Sequence, residues 1–412
     1  MRILHTSDWH LGMTLCGRRR EKESAEFLAW LAGVIRDTDV DVLLVTGDIF
    51  DNGTPPTWAQ RLYYRFLMEA AEAGCRHIII TAGNHDSPTF LEAPRHLLEA
   101  LNIHVVGSAG TDDMRIIPLP SEGGETGLLV CAVPYLRDRD IRRSAPGESV
   151  ADKAARVREG IQQHYRDVWD AAVAMRRETG TEVPVVLTGH LFAAGGITVE
   201  GDGVRDRLAG SLDRVGADVF DGDAAYVALG HLHVPQTVGG RTTVRYPGSP
   251  VPVGFAEAGQ EKEVLIVDVA AGAPTIIEPV SVPCFQRLAT LQGDMDDIAD
   301  GLAALKMEGT PVWAEVIYDG DEVPGDLMAW VAELTGESTI EVLRVTDARL
   351  VSQAIRAGEG CEDLSRLTET EVFLRCMDDR NVPEDQRGVL MDAFIEILDA
   401  VHLSPDETEE EA

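Results

Sequence analysis

MRILHTSDWH, residues 1–10, decides the reading of this chain. A short run from Arg2 to Thr6 has the length and residue types of a strand, and it stops at Ser7, Asp8 and His10. The same grammar recurs in LLVTGDIFD (43–51), IIITAGNHD (78–86), VVLTGH (185–190) and YVALGHLH (226–233). Each is an apolar run, a glycine or serine, and then a carboxylate, amide or imidazole. Between and around these runs, Glu21 to Arg36, Thr57 to Ala73, Thr89 to Ala100 and Ala151 to Thr179 carry helical periodicity. Strands alternating with helices predict an α/β fold. In such sheets the loops beyond the carboxyl ends of the strands gather at one edge. Five segments remote in sequence are therefore expected to converge in one cleft.

Further strands are expected at His104 to Gly107, Arg115 to Leu119, Leu128 to Val133, Thr243 to Tyr246 and Glu263 to Val269. The α/β pattern then ends near residue 280. From Cys284 the order becomes strand (Phe285 to Leu291), helix (Met295 to Met307), strand (Val312 to Tyr318), helix (Gly325 to Leu334), strand (Thr339 to Val345). Residues 284–346 thus read as a compact α+β domain, with Asp294 as an N-cap and Ile298, Leu302 and Leu305 on one helix face. Residues 350–403 read as helix, with Thr368 and Glu371 matching a capping box and Pro383 opening a last helix striped by Leu390, Phe394, Ile397 and Val401. Residues 404–412 are an acidic tail, expected to be solvated and disordered.

The 412 residues are 44% hydrophobic and 26% charged, which supports a real core, and the formal net charge is −34. Nonspecific DNA affinity comes largely from Lys and Arg, so a freely roaming basic DNA-binding protein is excluded. A nucleic-acid role must use a local groove, bound cations or a basic partner. Six cysteines without a C-x-x-C pair indicate neither a zinc ribbon nor a disulfide framework. With no apolar leader and no run approaching a membrane span, a soluble cytoplasmic protein is expected.

Taken singly, a GD or GH pair is ordinary turn chemistry. GNHD and GHLH are more specific, because glycine lets the backbone turn sharply while consecutive polar side chains aim at one point. Together, carboxylate, imidazole and amide oxygen without thiolate favour manganese, iron or magnesium over structural zinc. The ligands suffice for two ions if one carboxylate is shared, and two ions are the equipment for phosphoester hydrolysis.

The ordered set DWH, GDIFD, GNHD, GH and GHLH resembles that of the calcineurin-like metallophosphoesterases. Within them, MRILHTSDWHLG, GDIFDNGTPP, TAGNHDS, VPYLRD and YPGSP closely resemble the bacterial SbcD family, the nuclease subunits of SbcC-SbcD complexes. The resemblance implies a four-layer α/β/β/α sandwich over residues 1–280, a DNA-facing cap over 284–346 and a helical SbcC-binding region over 350–403. It implies one metal ion on Asp8, His10, Asp48 and His233, and another on Asp48, Asn84, His190 and His231. It also implies that His85 faces the phosphate and that Asp51 orients His85. The implied activity is that of a manganese-dependent nuclease, with Mg2+ or Fe2+ as other possible ions. With an SbcC-like coiled-coil ATPase it would act as an ATP-dependent 3′ to 5′ double-strand exonuclease. It would also cut single strands and open hairpins, in replication, recombination and repair. ATP would be used by the partner, and this chain would form a homodimer within a heterotetramer.

Other features have plainer readings. His5 and His77 read as packed histidines within strands, and His96, His104, His164 and His402 lack motif context. Arg18, Arg19 and Arg20 form either a contact to DNA phosphates or a solvated face. Trp58, Leu62, Tyr63, Phe66 and Leu67, with Phe90, Leu97, Leu98 and Leu101, serve as core with a surplus that permits dimerisation. The stripe at Leu390 to Val401 either docks the partner or packs on the cap. The competing functions are a small-molecule phosphodiesterase of the same superfamily and a noncatalytic scaffold. The extra domain disfavours the first, and the complete ligand set disfavours the second.

Overall fold

The computed structural model describes residues 1–109, 116–141, 150–179, 182–193, 196–197, 215–220, 223–320 and 325–349, with Met377, Arg387, Met391 and Phe394. The readings made for residues 350–403 and 404–412, including the capping box at Thr368 and the stripe from Leu390, otherwise lie outside the described residues.

In chain order the elements begin with β1 (Arg2–Thr6), a small hairpin β2 (Thr14–Leu15) and β3 (Arg18–Arg19), α1 (Glu21–Asp37) and β4 (Val42–Thr46). Next come α2 (Thr57–Glu72), β5 (His77–Thr81), α3 (Pro88–Glu92), α4 (Arg95–Glu99), β6 (Ile103–Val106), β7 (Ile116–Pro120) and β8 (Thr126–Cys131). Then follow α5 (Asp138–Ile141), α6 (Val150–Thr179), β9 (Val185–His190), β10 (Tyr226–Gly230), β11 (Gln236–Val238) and β12 (Arg241–Tyr246). The remainder are β13 (Glu263–Asp268), β14 (Ile276–Ser281), β15 (Arg287–Gly293), α7 (Met295–Glu308), β16 (Val312–Tyr318), α8 (Leu327–Thr335) and β17 (Ile340–Asp347).

One six-stranded sheet runs β14-β13-β1-β4-β5-β6 and a second runs β11-β12-β10-β9-β8-β7. In each, the middle strands are parallel, and antiparallel pairs occur toward the edges. Alternation along each strand divides the apolar residues between two faces. Leu4, Leu43, Val45, Ile78 and Ile80 pack with Phe27, Leu31 and Ile35 of α1 and with Leu62 and Phe66 of α2. Their neighbours Ile3, Val42, Leu44 and Ile79 turn the other way, against Leu128, Val130, Val186, Tyr226 and Ala228 of the second sheet. The opposite face of that sheet, with Leu129, Val185, Leu187 and Val227, is covered by Ile161, Tyr165, Val168 and Ala172 of α6. Three successive cores make the four layers, α/β/β/α.

The expected helix over Thr89 to Ala100 is two short ones, because Pro94 has no backbone donor to carry the hydrogen-bond ladder through. β11 and the β2–β3 hairpin carry too little apolar pattern to have been predicted, and β14, an edge strand, is interrupted by Pro279. Arg20 is not on a basic surface: it is buried, paired with Glu23, and donates to Pro252 O. Arg18 and Arg19 are both exposed, and Arg18 pairs with Glu341.

The third sheet is β15-β16-β17. Asp294 caps α7 in a full capping box with Asp297, and Ile298, Leu302 and Leu305 are buried as their spacing predicts. By contacts the chain forms two compact units, Met1–Ile317 with Glu322–Val345, and Tyr318–Asp321 with Thr346–Ala412. In the second unit, Arg349 bonds Asp347 and lies 4.8 Å from the Tyr318 ring. Among the described residues no helix is long and apolar enough to cross a membrane.

His5 is fully buried between the two large sheets. It bonds Tyr226 Oη at 2.8 Å through Nδ1 and Thr46 Oγ1 at 2.9 Å through Nε2. Burial, with the nearby Arg245 charge, pulls its pKa from 6.5 to about 3. The folded state therefore refuses a proton that the unfolded chain accepts, so this contribution is intact above pH 6.5 and is lost as pH falls toward 3. The slope from this group is at most about 1.4 kcal/mol per pH unit. His5→Gln, which cannot titrate, should show a shallower loss of unfolding free energy over that window in urea titrations. Equal slopes for the two proteins would contradict the assignment.

Candidate metal centre

The parallel strands β1, β4, β5, β9 and β10 direct their carboxyl ends to the same region, and each delivers a polar residue there. Asp8 and His10 follow β1, Asp48 follows β4, and Asn84 and His85 follow β5. His190 is the last residue of β9 itself, and His231 and His233 follow β10. The turns are tight. Asp8, His10, Asp48 and His231 have φ of 53°, 45°, 50° and 103°, a region uncommon for non-glycine residues that Asp and His enter more readily than most. Closeness also dictates Gly83, where an added Cβ would come 2.1 Å from Asp48 Oδ1.

Asp8, His10 and His233 offer ligand atoms that all lie within 4.8 Å of one another, and Asp48, His190 and His231 form a second such group. His10, Asp51 and His85 form a third, which shares His10 with the first. Asp48 connects the first two groups. Its Oδ2 is 3.2 Å from His190 Nε2 and 3.8 Å from His10 Nε2, while its Oδ1 accepts from the His85 amide at 2.9 Å. Asn84 Oδ1 lies 3.0 Å from both His190 Nε2 and His231 Nδ1. All nine sequence-selected residues are therefore gathered in one place.

The ring hydrogen bonds settle which nitrogens face inward. Thr46 O can only accept, so its 3.0 Å contact places a proton on His190 Nδ1. Glu257 Oε1, 3.1 Å from His233 Nδ1, does the same there. His190 Nε2 then faces carboxylate and amide oxygens, and His233 Nε2 faces His10 Nε2 at 3.3 Å. Groups that mostly accept are aimed at one another, and only protons or cations can stabilise them. The donor set fits divalent ions held by oxygen and imidazole.

The electrostatics agree. Burial opposes charge on His190, yet the Asp48 carboxylate outweighs it and raises the pKa to about 9. His10 is raised to about 8 because Asp51, Asp48 and Asp8 together overcome its burial. His231 is lowered to about 3, by burial and then by the charge on His190. The Asp48 carboxyl, though buried, is held well below the usual carboxylate range by His190 and His10.

His85 Nδ1 bonds the main-chain carbonyl of Asp51 at 2.8 Å, whereas the Asp51 carboxylate lies 3.6 Å from His10 Nδ1. Asp51 thus holds His85 through its backbone. Asp86, which closes GNHD, carries no assigned role in the sequence reading beside Asn84 and His85. Its buried carboxylate accepts from the amides of Gly83, Phe50 and Ile49 at 2.8, 2.9 and 3.2 Å, joining the β4 and β5 loops. Arg137, in VPYLRD, donates to Asp86 O at 3.0 Å. Glu257 had no motif to mark it.

Because His10 and His190 hold protons in the metal-free protein up to about pH 8 and 9, ion binding has to displace them. Affinity for a divalent ion should rise with pH through that range, with protons released on binding at pH 7 and few released above pH 9. Calorimetry in buffers of different ionisation enthalpy measures this, and metal uptake at pH 7 without proton release would refute it.

The sequence comparisons coincide with this geometry. A family model described as calcineurin-like phosphoesterase matches residues 1–235, and one described as Type 5 capsule protein repressor C-terminal domain matches residues 284–381. The SbcD subunit of the SbcCD nuclease from Escherichia coli strain K12 is 36% identical over 400 residues, 97% of this chain and 98% of that protein. The protein of the same name from Rhodobacter capsulatus is 37% identical over 76% of this chain and 77% of its own length. That from Bacillus subtilis is 38% identical over 66% and 67%. With both family models in the order of the two sheet systems and similarity running nearly end to end, the chain belongs to the SbcD family of calcineurin-like phosphoesterases.

Proposed function

We propose that this protein is a manganese-dependent DNA nuclease whose two ions are held by Asp8, His10, Asp48 and His233 and by Asp48, Asn84, His190 and His231. The observation that carries the reading is Asp48 Oδ2, which faces His190 and His10 of two separate ligand groups and so can be shared. Two divalent ions, when bound, supply charge to both the attacking and leaving oxygens of a phosphodiester and make a water nucleophilic at neutral pH.

The chain's own contribution is positional. With its Nδ1 proton donated to Asp51 O, His85 keeps Nε2 for the substrate, where it can carry the proton to the leaving oxygen or bond the developing charge. Its amide is tied to Asp48 Oδ1, so the catalytic ring and the shared carboxylate move as one unit. Arg137 and Asp86 brace that turn from the second sheet and the β4 loop.

We assign residues 1–280 to the nuclease domain, 284–346 to a DNA-facing cap, 350–403 to binding of an SbcC-like ATPase and 404–412 to a solvated tail, in a cytoplasmic complex. Relatives named as subunits of the SbcCD nuclease support the partner and the DNA substrate. With that partner the complex would degrade double-stranded ends from 3′ to 5′ using ATP, cut single strands and open hairpins. Leu97 and Leu101, 70% and 45% exposed on the α4 side, support a homodimer through this face. The net charge of −34 implies that DNA affinity resides mainly in the assembled complex.

The test is hydrolysis of a hairpin-ended duplex with manganese, in parallel with bis-p-nitrophenyl phosphate, by wild type and His85→Ala. The variant should keep its bound metal and lose at least about 100-fold in cutting, the scale of a general acid. Cleavage of the small ester alone, persisting after addition of the SbcC-like partner and ATP, would instead favour a small-substrate phosphodiesterase.

A further inference from the structure

The segment YPGSP (246–250) enters neither ligand set, yet it packs against the backbone of His233. The Ser249 amide donates to His233 O at 3.2 Å, and a Cβ on Gly248, whose φ is 77°, would come 2.5 Å from the same oxygen. Beyond it, the fully buried Glu257 reaches the histidine from the side-chain direction. Its Oε1 accepts from His233 Nδ1 at 3.1 Å, and its Oε2 accepts from Ser249 Oγ at 3.0 Å and Val253 N at 3.2 Å. Lys262 completes the arrangement: its buried Nζ donates to Glu257 Oε2, to Ser249 Oγ at 3.0 Å and to His233 O at 3.3 Å.

A buried ion pair is a weak source of stability, since desolvating each charge costs several kcal/mol and apolar residues of like volume often serve as well. This one bears on a single imidazole from two sides. The carboxylate holds the proton on Nδ1 and so turns the Nε2 lone pair toward His10 and Asp8, while the lysine and Ser249 hold the main chain from which the ring projects. His190, in the other ligand group, is backed only by the neutral carbonyl of Thr46. A carboxylate makes the imidazole it bonds a stronger metal ligand than a carbonyl does.

We propose that Glu257, held by Lys262, is a positioning residue that fixes His233 in its Nε2-ligating form and makes the Asp8, His10 and His233 site the tighter of the two metal sites. The proposal rests on the reading of His233 as a ligand. It assigns to YPGSP the task of carrying this brace.

Stepwise Mn2+ binding to the full-length chain, followed by electron paramagnetic resonance of the free ion and by calorimetry, tests it in wild type, Glu257→Ala, Glu257→Gln and His233→Ala. Glu257→Ala should weaken the tighter step by roughly 10- to 100-fold and leave the weaker step within about twofold. Glu257→Gln, which keeps an acceptor oxygen but loses the charge, should restore the Nδ1 proton and recover only part of the affinity. In the metal-free protein, 15N spectra should show the His233 proton on Nδ1 in wild type and Gln variant and a tautomer mixture in the Ala variant, a change that loss of packing alone would not produce. If Glu257→Ala fails to fold by circular dichroism, the double variant Glu257→Ala with Lys262→Met removes the stranded ammonium and is measured in its place. Unchanged binding, or equal weakening of both steps, in a folded variant overturns the proposal. If wild type takes up no manganese, or His233→Ala binds it as wild type does, the ligand reading itself has failed and the proposal falls with it.

Discussion

A carboxylate buried at the end of a strand is the constraint on which this molecule is built. Asp48 is 2% exposed. A lone ion so placed would cost several kcal/mol, so its surroundings have to answer it atom by atom. They do so from three remote segments: the His85 amide, the His190 ring and the His10 ring. To bring these within reach, the β4 and β5 loops must nearly touch, which is why Gly83 tolerates no side chain and why Asp86 ties together three amides of the two loops. The left-handed backbones of Asp8, His10, Asp48 and His231 record the same demand. Local strain there is offset by the three apolar cores beneath, and it holds these side chains in place with no ion bound.

The site unites the two sheets. Asp8, His10, Asp48 and Asn84 follow strands of the first sheet, and His190, His231 and His233 come from the second, so the proposed ligand set is assembled only when the intersheet core is closed. His5 contributes to that closure with a hydrogen bond across the layers to Tyr226 and another to Thr46, whose carbonyl in turn orients His190. Fold stability and metal geometry are thereby linked through one strand end.

The acidity of the chain fits this picture. The carboxylates Asp8, Asp48 and Asp51 at the cleft are faced by imidazoles, and two of the arginines are engaged with the fold. Arg20 is buried against Glu23 and Pro252, and Arg137 braces the β5 turn. The basic run, read from sequence as either a phosphate contact or a solvated face, is divided between the buried Arg20 and two exposed residues, Arg18, which pairs with Glu341, and Arg19.

The sequence by itself determined the α/β class, the main parallel strands and the convergence of its nine chosen residues. Strand length and the polar residues that end each strand are local signals, and the geometry of parallel sheets does the rest. It also placed Asp294 as a helix cap, because capping is decided within a few residues. Only the tertiary structure decided that Pro94 splits a helix, that the main-chain carbonyl of Asp51 bonds His85, and that Glu257 and Lys262 stand behind His233. Glu257 lies 24 residues from the histidine it bonds and carries no periodic or motif signal. Its role arises from burial, which removes water as a partner and leaves its charge to be met by whichever groups the fold brings beside it.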